Sequence, residues 1–422
     1  MSALSCRGCG ARVTESLVDL GVQPLSNAYV RRDAAGEPET FYPLHPMVCE
    51  RCFFVQLGVF EPPEKIFADY AYFSSYSTSW LAHCAAHAAR CAEQLALGPS
   101  SLVVEVASND GYLLRSFVAR GIPVLGVEPA ANVADVARRD GVPTRAAFFG
   151  AAEAARIAAE HGRADLMLAN NVLAHVPDVH DFVAGFARLL APGGVATFEF
   201  PHLLPLLAET QFDTIYHEHF SYLSLLAIEP VFAAHGLAVV DAERIPTHGG
   251  SLRLWVAHDG TRAASPAVAA LRGLEHEMGL ADLATYRAFA PRVRTIQREL
   301  VRFLIGAAER GARVAAYGAA AKGNTLLNAC GVRSDLVAFV VDRNPHKQGH
   351  LLPGSRIPVE PVETLLAQRP DYVLVLPWNL RDEIVEQMAA VRGWGGRFVT
   401  AIPRLRIDPD LPAPAALLSA CG

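Results

Sequence analysis

Ser101-Leu-Val-Val-Glu-Val-Ala-Ser-Asn-Asp-Gly111 is followed, after one helical stretch, by Pro123-Val-Leu-Gly-Val-Glu128. Each is a short, nearly continuous apolar run that ends in polar or acidic residues. Such runs suit strands buried on both faces. Tyr112 to Arg120 and Asn132 to Arg139 carry helical patterns, and Ala164 to Ala169 and Gly194 to Phe200 read as further strands. The alternation predicts an α/β fold, with a mainly parallel sheet flanked by helices on both sides.

In such a sheet ligands sit beyond the carboxyl ends of the strands. Glu128 ends the second strand, where an acid pairs with a ribose diol in NAD and S-adenosylmethionine (SAM) sites alike. The first loop separates the two. A dinucleotide fingerprint needs G-x-G-x-x-G, and only Gly111 is present, with Asn109 and Asp110 crowding the turn. That suits a cofactor with an amino-acid tail and no diphosphate. Glu105 and this turn resemble motif I of class I SAM-dependent methyltransferases, which usually have glycine where Ala107 stands. Asn170-Asn-Val-Leu-Ala-His-Val-Pro177 resembles the stretch after the fourth strand of that fold. The cofactor candidates are therefore Glu105, Ala107, Asn109, Gly111, Glu128, Asn170, Asn171 and His175.

Upstream, Cys6 and Cys9 form one C-x2-C pair and Cys49 and Cys52 another. Four thiolates on two knuckles predict a tetrahedral, structural Zn2+ site with no open coordination position. Residues 1–63 read as this zinc-binding module. The Asp69-Tyr-Ala-Tyr-Phe-Ser-Ser-Tyr-Ser77 segment and a helix from about Thr78 to Leu95 come next.

With 422 residues, 51% of them hydrophobic and 19% charged, the chain has material for two or three cores. Its net charge of −6 gives no general attraction for nucleic acid or anionic lipid. No apolar run reaches membrane-spanning length, and the N-terminus does not read as a secretory signal. A cytoplasmic protein without nucleic-acid or membrane partners is expected.

Tyr216-His-Glu-His-Phe-Ser-Tyr222 concentrates two imidazoles, a carboxylate and two phenols in one run. Imidazole exchanges protons near neutral pH, a carboxylate orients it, and a phenol donates to a developing oxyanion. After about residue 260 an Ala-rich helical region leads into a second α/β run. Its strands are Arg313 to Tyr317, Val337 to Val341, Asp371 to Leu376 and Gly396 to Val399. Gly318 to Gly323 reads as a small-residue loop before a helix that starts at Thr325. Its amides suit an anion and Lys322 adds a charge, but the order of residues is not that of a P-loop.

Taken in order, the cysteine pairs, VEVASNDG, NNVLAHVPD, YHEHFSYLS, HGGSLR and YGAAAKGNTLLN resemble the sugar C-methyltransferases over nearly the whole chain. The resemblance implies a SAM domain over 64–260 with a catalytic insert. It also implies a C-terminal Rossmann-like domain over 261–422 that binds the nucleotide sugar. The implied reaction is methylation of a carbon next to the C4 ketone of a nucleotide-linked 4-keto-deoxysugar, with thymidine the expected nucleoside. By the family pattern His219 is the base, Glu218 orients it, and Tyr216 supports the keto oxygen or the base. One of Tyr70, Tyr72 and Tyr76 adds a phenol, with Tyr72 preferred. Substrate candidates are Tyr70, His248, Gly249, Gly250, Tyr317, Lys322, Asn324 and Asp342. His248-Gly-Gly either meets the substrate backbone-first or is a plain hairpin turn. N- or O-methylation of a related sugar leaves the proton-handling cluster less well explained, and an NAD-dependent oxidoreductase lacks its glycine fingerprint. A zinc-ribbon nucleic-acid-binding protein conflicts with the acidic charge. The ring carbon, C3 or C5, and the oligomeric state are left open, and a monomer is compatible with modules able to bury one another.

Overall fold

The computed structural model describes residues 4–62 and 78–408. Tyr70, Tyr72 and Tyr76 lie outside them. The chain divides into two compact units: Met1–Leu17, Pro46–Pro205 and Glu218–Arg287 form the first, and Val18–His45, Leu206–His217 and Ala288–Gly422 the second.

The first unit is organised by a seven-stranded sheet. Its strands are β1 (Val103–Val106), β2 (Val124–Val127), β3 (Thr144–Arg145), β4 (Ala164–Asn170), β5 (Leu190–Pro201), β6 (Leu237–Ile245) and β7 (Ser251–His258), in the order β6-β7-β5-β4-β1-β2-β3. Strands β1 to β5 are parallel, while β7 runs antiparallel to both β5 and β6. Val103, Val104 and Val106 are 3% exposed or less, as a central strand covered on both faces requires. The helices of this unit include α1 (Thr78–Gln94), α2 (Arg115–Val118), α3 (Ala131–Arg139), α4 (Ala151–His161), α5 (Val179–Leu189), α6 (Leu225–Ala234) and α7 (Pro266–Glu277). Asp178 caps α5 by accepting from the His180 and Asp181 amides.

Two local readings differ from the sequence. The helix expected from Tyr112 shrinks to Arg115–Val118, because the left-handed turn at Gly111 (φ 77°) comes directly before it and turns continue to Leu114. The strands of the β6–β7 hairpin were not legible, although a hairpin turn at His248-Gly-Gly was one of the two readings of that motif. The first strand carries Asp241, Glu243 and Arg244 and shifts register between Val239 and Asp241, which breaks a period of two.

The cysteine pairs flank, in sequence, the strands of a small four-stranded antiparallel sheet in the order Glu15–Ser16, Met47–Val48, Val55–Gln56, Ser221–Tyr222. The last strand comes from the histidine-rich run.

The second unit holds the long helix α8 (Phe289–Glu309) and a six-stranded sheet. The strands are β8 (Val314–Tyr317), β9 (Val340–Val341), β10 (Val359–Glu360), β11 (Tyr372–Val375), β12 (Arg397–Thr400) and β13 (Arg406–Asp408), ordered β10-β9-β8-β11-β12-β13. Only β13 is antiparallel. Helix α9 (Ala321–Ala329) begins four residues earlier than the sequence suggested. Gly318, at φ 90°, completes the turn alone, and Ala321 and Lys322 are good helix formers. Val18–His45, which lies between the cysteine pairs in sequence, belongs to this unit, where Val30–Arg31 pairs with His350–Leu351. Among the described residues no helix is long and apolar enough to cross a membrane.

Candidate active site

The sulfur atoms of Cys6, Cys9, Cys49 and Cys52 all lie within 4.8 Å of one another. Cys6 Sγ and Cys52 Sγ are 3.5 Å apart, and Cys9 Sγ and Cys49 Sγ 3.6 Å. Zinc–sulfur bonds of about 2.3 Å in a tetrahedron put sulfurs roughly 3.8 Å apart, so the cage fits Zn2+. The neighbouring sulfur of Cys52 lowers the Cys6 pKa. Arg7, on the first knuckle, donates to the carbonyls of Leu57 and Phe220, and its guanidinium lies 5.7 Å from the centre of the Phe220 ring. The Leu57 amide also donates to Phe220 O at 2.9 Å. The metal cage is thus tied to the residue next to His219.

At the carboxyl edge of β1 and β2 three carboxyls are buried: Glu105 (1% exposed), Asp110 (1%) and Glu128 (5%). Among the described residues none has an ion-pair partner. Both Glu105 oxygens and Asp110 Oδ1 lack any hydrogen bond, as do both side-chain polar atoms of Asn170. Burial, with the charges of Glu128 and Asp110, pushes the Glu105 pKa well up. Glu128 is also raised by burial, opposed by the Ala130 and Asn109 amides that donate to it at 2.9 and 3.0 Å. So many unsatisfied acceptors in one place call for a ligand that brings donors and positive charge. SAM, with its ammonium, sulfonium and ribose hydroxyls, meets that demand, whereas a pyrophosphate is repelled. Ala107, Asn109, Gly111 and Asn171 have φ of 56°, 50°, 77° and 52°. Left-handed backbone at Ala107 explains why glycine is usual there.

The histidine-rich run leaves the second unit after His217 and enters the first at Glu218. In the first unit His175 Nδ1 donates to the Glu218 carbonyl at 2.8 Å, and the His175 and His219 rings meet edge-on with centroids 4.7 Å apart. Desolvation lowers the His175 pKa to about 4, opposed by that hydrogen bond. Tyr222 packs edge-on against His219 at 6.1 Å. In the second unit His217 Nε2 donates to Pro43 O at 3.3 Å and its ring meets Tyr42 edge-on at 5.8 Å, a packing role.

A buried network that sequence reasoning missed adjoins the cofactor strands. Glu199 on β5 (0% exposed) faces Asn170 in register. Its carboxylate accepts from Arg253 on β7 at 2.5 Å, lies 3.0 Å from His83 Nε2 on α1, and accepts from the Thr247 hydroxyl at 3.2 Å. Burial would raise the Glu199 pKa, but His83 and Arg253 together hold it at about 2. The His83 ring stacks on Trp80, which meets His248 edge-on at 5.1 Å. His248, Gly249 and Gly250 form the turn of the β6–β7 hairpin, with Pro205 closed against Gly250, whose added Cβ would come within 2.8 Å of it. Of the remaining candidates, all in the second unit, Tyr317 ends β8, while Lys322 and Asn324 lie in the first turns of α9 and Asp342 directly follows β9.

A Rossmann-like sheet with an acidic, donor-seeking edge and a thiolate cage defines a zinc-containing SAM-dependent methyltransferase. Three family models match the chain: "Putative zinc binding domain" over residues 6–67, "Methyltransferase domain" over 82–242 and "C-methyltransferase C-terminal domain" over 246–403. C-methyltransferase NovU of Streptomyces niveus is 40% identical over 406 residues, 95% of this chain and 96% of that protein. This chain belongs to the C-methyltransferase family. Similar solved structures include the magnesium protoporphyrin IX methyltransferase of Synechocystis PCC 6803 with bound SAM, at 14% identity over 43% of this chain and 79% of that one, TM-score 0.32. The PH0226 protein of Pyrococcus horikoshii OT3 is 13% identical over 47% of this chain and all of its own, TM-score 0.37.

Proposed function

We propose that this C-methyltransferase methylates a carbon next to the C4 ketone of a dTDP-linked deoxysugar in the cytoplasm, as a step in deoxysugar biosynthesis. Forming a carbon–carbon bond requires a carbanion, and a ketone supplies one as an enolate once a base removes the adjacent proton. SAM, when bound, supplies an electrophilic methyl group. His219 takes the proton, Glu218 tunes it, and Tyr216 donates to the oxygen on which charge develops. A phenol from Tyr70, Tyr72 or Tyr76 completes the set. His248, Gly249 and Gly250 approach the sugar, while Tyr317, Asn324 and Asp342 of the C-terminal α/β domain serve its nucleotide.

The observation that carries this reading is the contact of His219 with His175, a side chain of the loop that begins at Asn170 and its unsatisfied amide. It supports a proton-handling group beside the methyl donor. The test is mass spectrometry of purified protein incubated with SAM and a dTDP-4-keto-6-deoxysugar, with His219→Asn in parallel. A gain of one methyl, lost in the variant, is expected, and NMR of the product then locates the carbon. A gain that survives in the variant overturns His219 as the base and points to N- or O-transfer.

A further inference from the structure

Lys322, in Tyr317-Gly-Ala-Ala-Ala-Lys-Gly-Asn324, stands where a sequence reading expects a phosphate ligand, and its surroundings in the second unit are of another kind. Its Nζ donates to Asn379 Oδ1 at 2.7 Å and lies 4.7 Å from the centre of the Trp378 ring. Trp378 Nε1 in turn donates to Asp213 Oδ2 at 2.7 Å, and Asp213 is 0% exposed. Burial raises the Asp213 pKa to about 6, opposed by the charge of Lys322; burial lowers that of Lys322, opposed by Asp213. The two are joined through Trp378, which lies under the Lys322 ammonium and donates to Asp213.

The loop before Lys322 is committed as well. The Ala319 amide donates to Asp342 Oδ2 at 2.8 Å, and the Ala319 carbonyl accepts from Lys347 Nζ at 2.8 Å and from the Tyr29 hydroxyl. Pro377 closes on Gly318, where an added Cβ would lie 2.5 Å from it. The Gly318–Ala319 turn is therefore committed to the protein's own groups, and the cavity of about 530 Å³ at this edge of the sheet opens beside Tyr317, Arg343 and Gln348 instead.

Asp213 sits in the short helical turn Phe212–Thr214, two residues before Ile215 and three before Tyr216. That turn packs on α9, and the Thr325 hydroxyl donates to the Ile215 carbonyl at 3.1 Å. We propose that Lys322 is a positioning residue: with Asn379, Trp378 and Asp213 it forms an internal lock of hydrogen bonds and a cation–π contact that holds the Phe212–Tyr216 segment on α9, and with it the start of the proton-handling run. Lys322 does not contact substrate phosphate. The proposal rests on the reading of Tyr216, Glu218 and His219 as the proton-handling groups.

Zinc-loaded full-length wild type, Lys322→Met, Lys322→Arg, Asp213→Asn and the Asp213→Asn/Lys322→Met double variant would be compared. The readouts are hydrogen exchange of the peptide spanning 212–220, calorimetric Kd for thymidine diphosphate, and kcat and KM for the keto sugar. Lys322→Met and Asp213→Asn are each expected to speed exchange in that peptide at least tenfold and to lower kcat ten- to a hundredfold. Thymidine diphosphate affinity stays within threefold, Lys322→Arg regains most of the protection, and the double variant is no worse than either single one. A tenfold weaker thymidine diphosphate affinity in Lys322→Met, with exchange unchanged, overturns the proposal. If wild type fails to methylate the sugar, the functional reading falls while the exchange data still decide the lock. If Lys322→Met does not fold, Lys322→Arg and Asp213→Asn carry the same test.

Discussion

His175 donates its Nδ1 proton to the backbone carbonyl of Glu218 and presents its ring edge-on to His219, 4.7 Å away between centroids. The hydrogen bond sets the tautomer, leaving Nε2 as the unprotonated nitrogen of a neutral ring. One side chain of the loop after β4 thereby contacts both the backbone and the ring of the run that follows. His175→Asn is expected to lower kcat about a hundredfold, the scale of a small misplacement of a reacting group, with SAM affinity within a few-fold of wild type. Steady-state kinetics and calorimetry check this, and an unchanged kcat would remove the His175 contact from the mechanism.

Acid should cost stability through the same histidine. The folded pKa of His175, about 4, lies below the ordinary value of about 6.5. The unfolded chain therefore binds more protons between those values. The stabilisation is present above pH ~6.5 and is lost as pH falls toward 4, at up to about 1.4 kcal/mol per pH unit. His87 has its pKa lowered by burial to about 2 and acts in the same direction. Urea titrations from pH 7 to 4.5 should show a slope that flattens in His175→Asn.

Stripping the metal should silence chemistry before it abolishes cofactor binding. Arg7 on the zinc knuckle and the Val55–Gln56 strand hold Phe220, Ser221 and Tyr222, whereas the acidic cofactor edge stands on β1 and β2. Cys49→Ser, or a chelator that removes one equivalent of zinc, is expected to lower turnover more than a hundredfold while SAM still binds within about tenfold of wild type. Parallel loss of both would show that the cage supports the whole first unit.

Glu199→Ala leaves the Arg253 guanidinium, 3% exposed, without its main counter-ion. An unpaired buried charge costs about 3–5 kcal/mol. Denaturant midpoints should fall accordingly, and Glu199→Ala/Arg253→Met should recover part of the loss. A loss of less than about 1 kcal/mol would mean that Glu243, 3.3 Å from Arg253 Nη1, compensates.

Ala107 carries a left-handed backbone at φ 56°. Such a conformation costs a residue with a Cβ roughly 1–2 kcal/mol. Ala107→Gly should therefore stabilise the protein by up to about 1 kcal/mol after the added flexibility of glycine is counted. Ala107→Val should destabilise it, and urea midpoints of the two variants should move in opposite directions.

Much of what depends on residues close in sequence was legible. The apolar runs of β1, β2, β4 and β5 announce a parallel sheet because a strand buried on both faces needs no alternation. Two C-x2-C knuckles announce a thiolate cage because two residues between cysteines suit a tight metal turn. The absence of a second loop glycine set SAM apart from NAD, and the density of His, Glu and Tyr singled out the Tyr216–Tyr222 run as the candidate for proton transfer. Only the tertiary structure decided which distant groups share a buried space. It placed Glu199 against Arg253 and His83, laid Ser221–Tyr222 beside the zinc module, and set Lys322 beside Trp378, which binds Asp213. A lysine after small residues looks the same in sequence whether it meets a phosphate or the protein's own Asn379 and Trp378, because the strength of a charged contact depends on distance and desolvation, and the fold alone sets both.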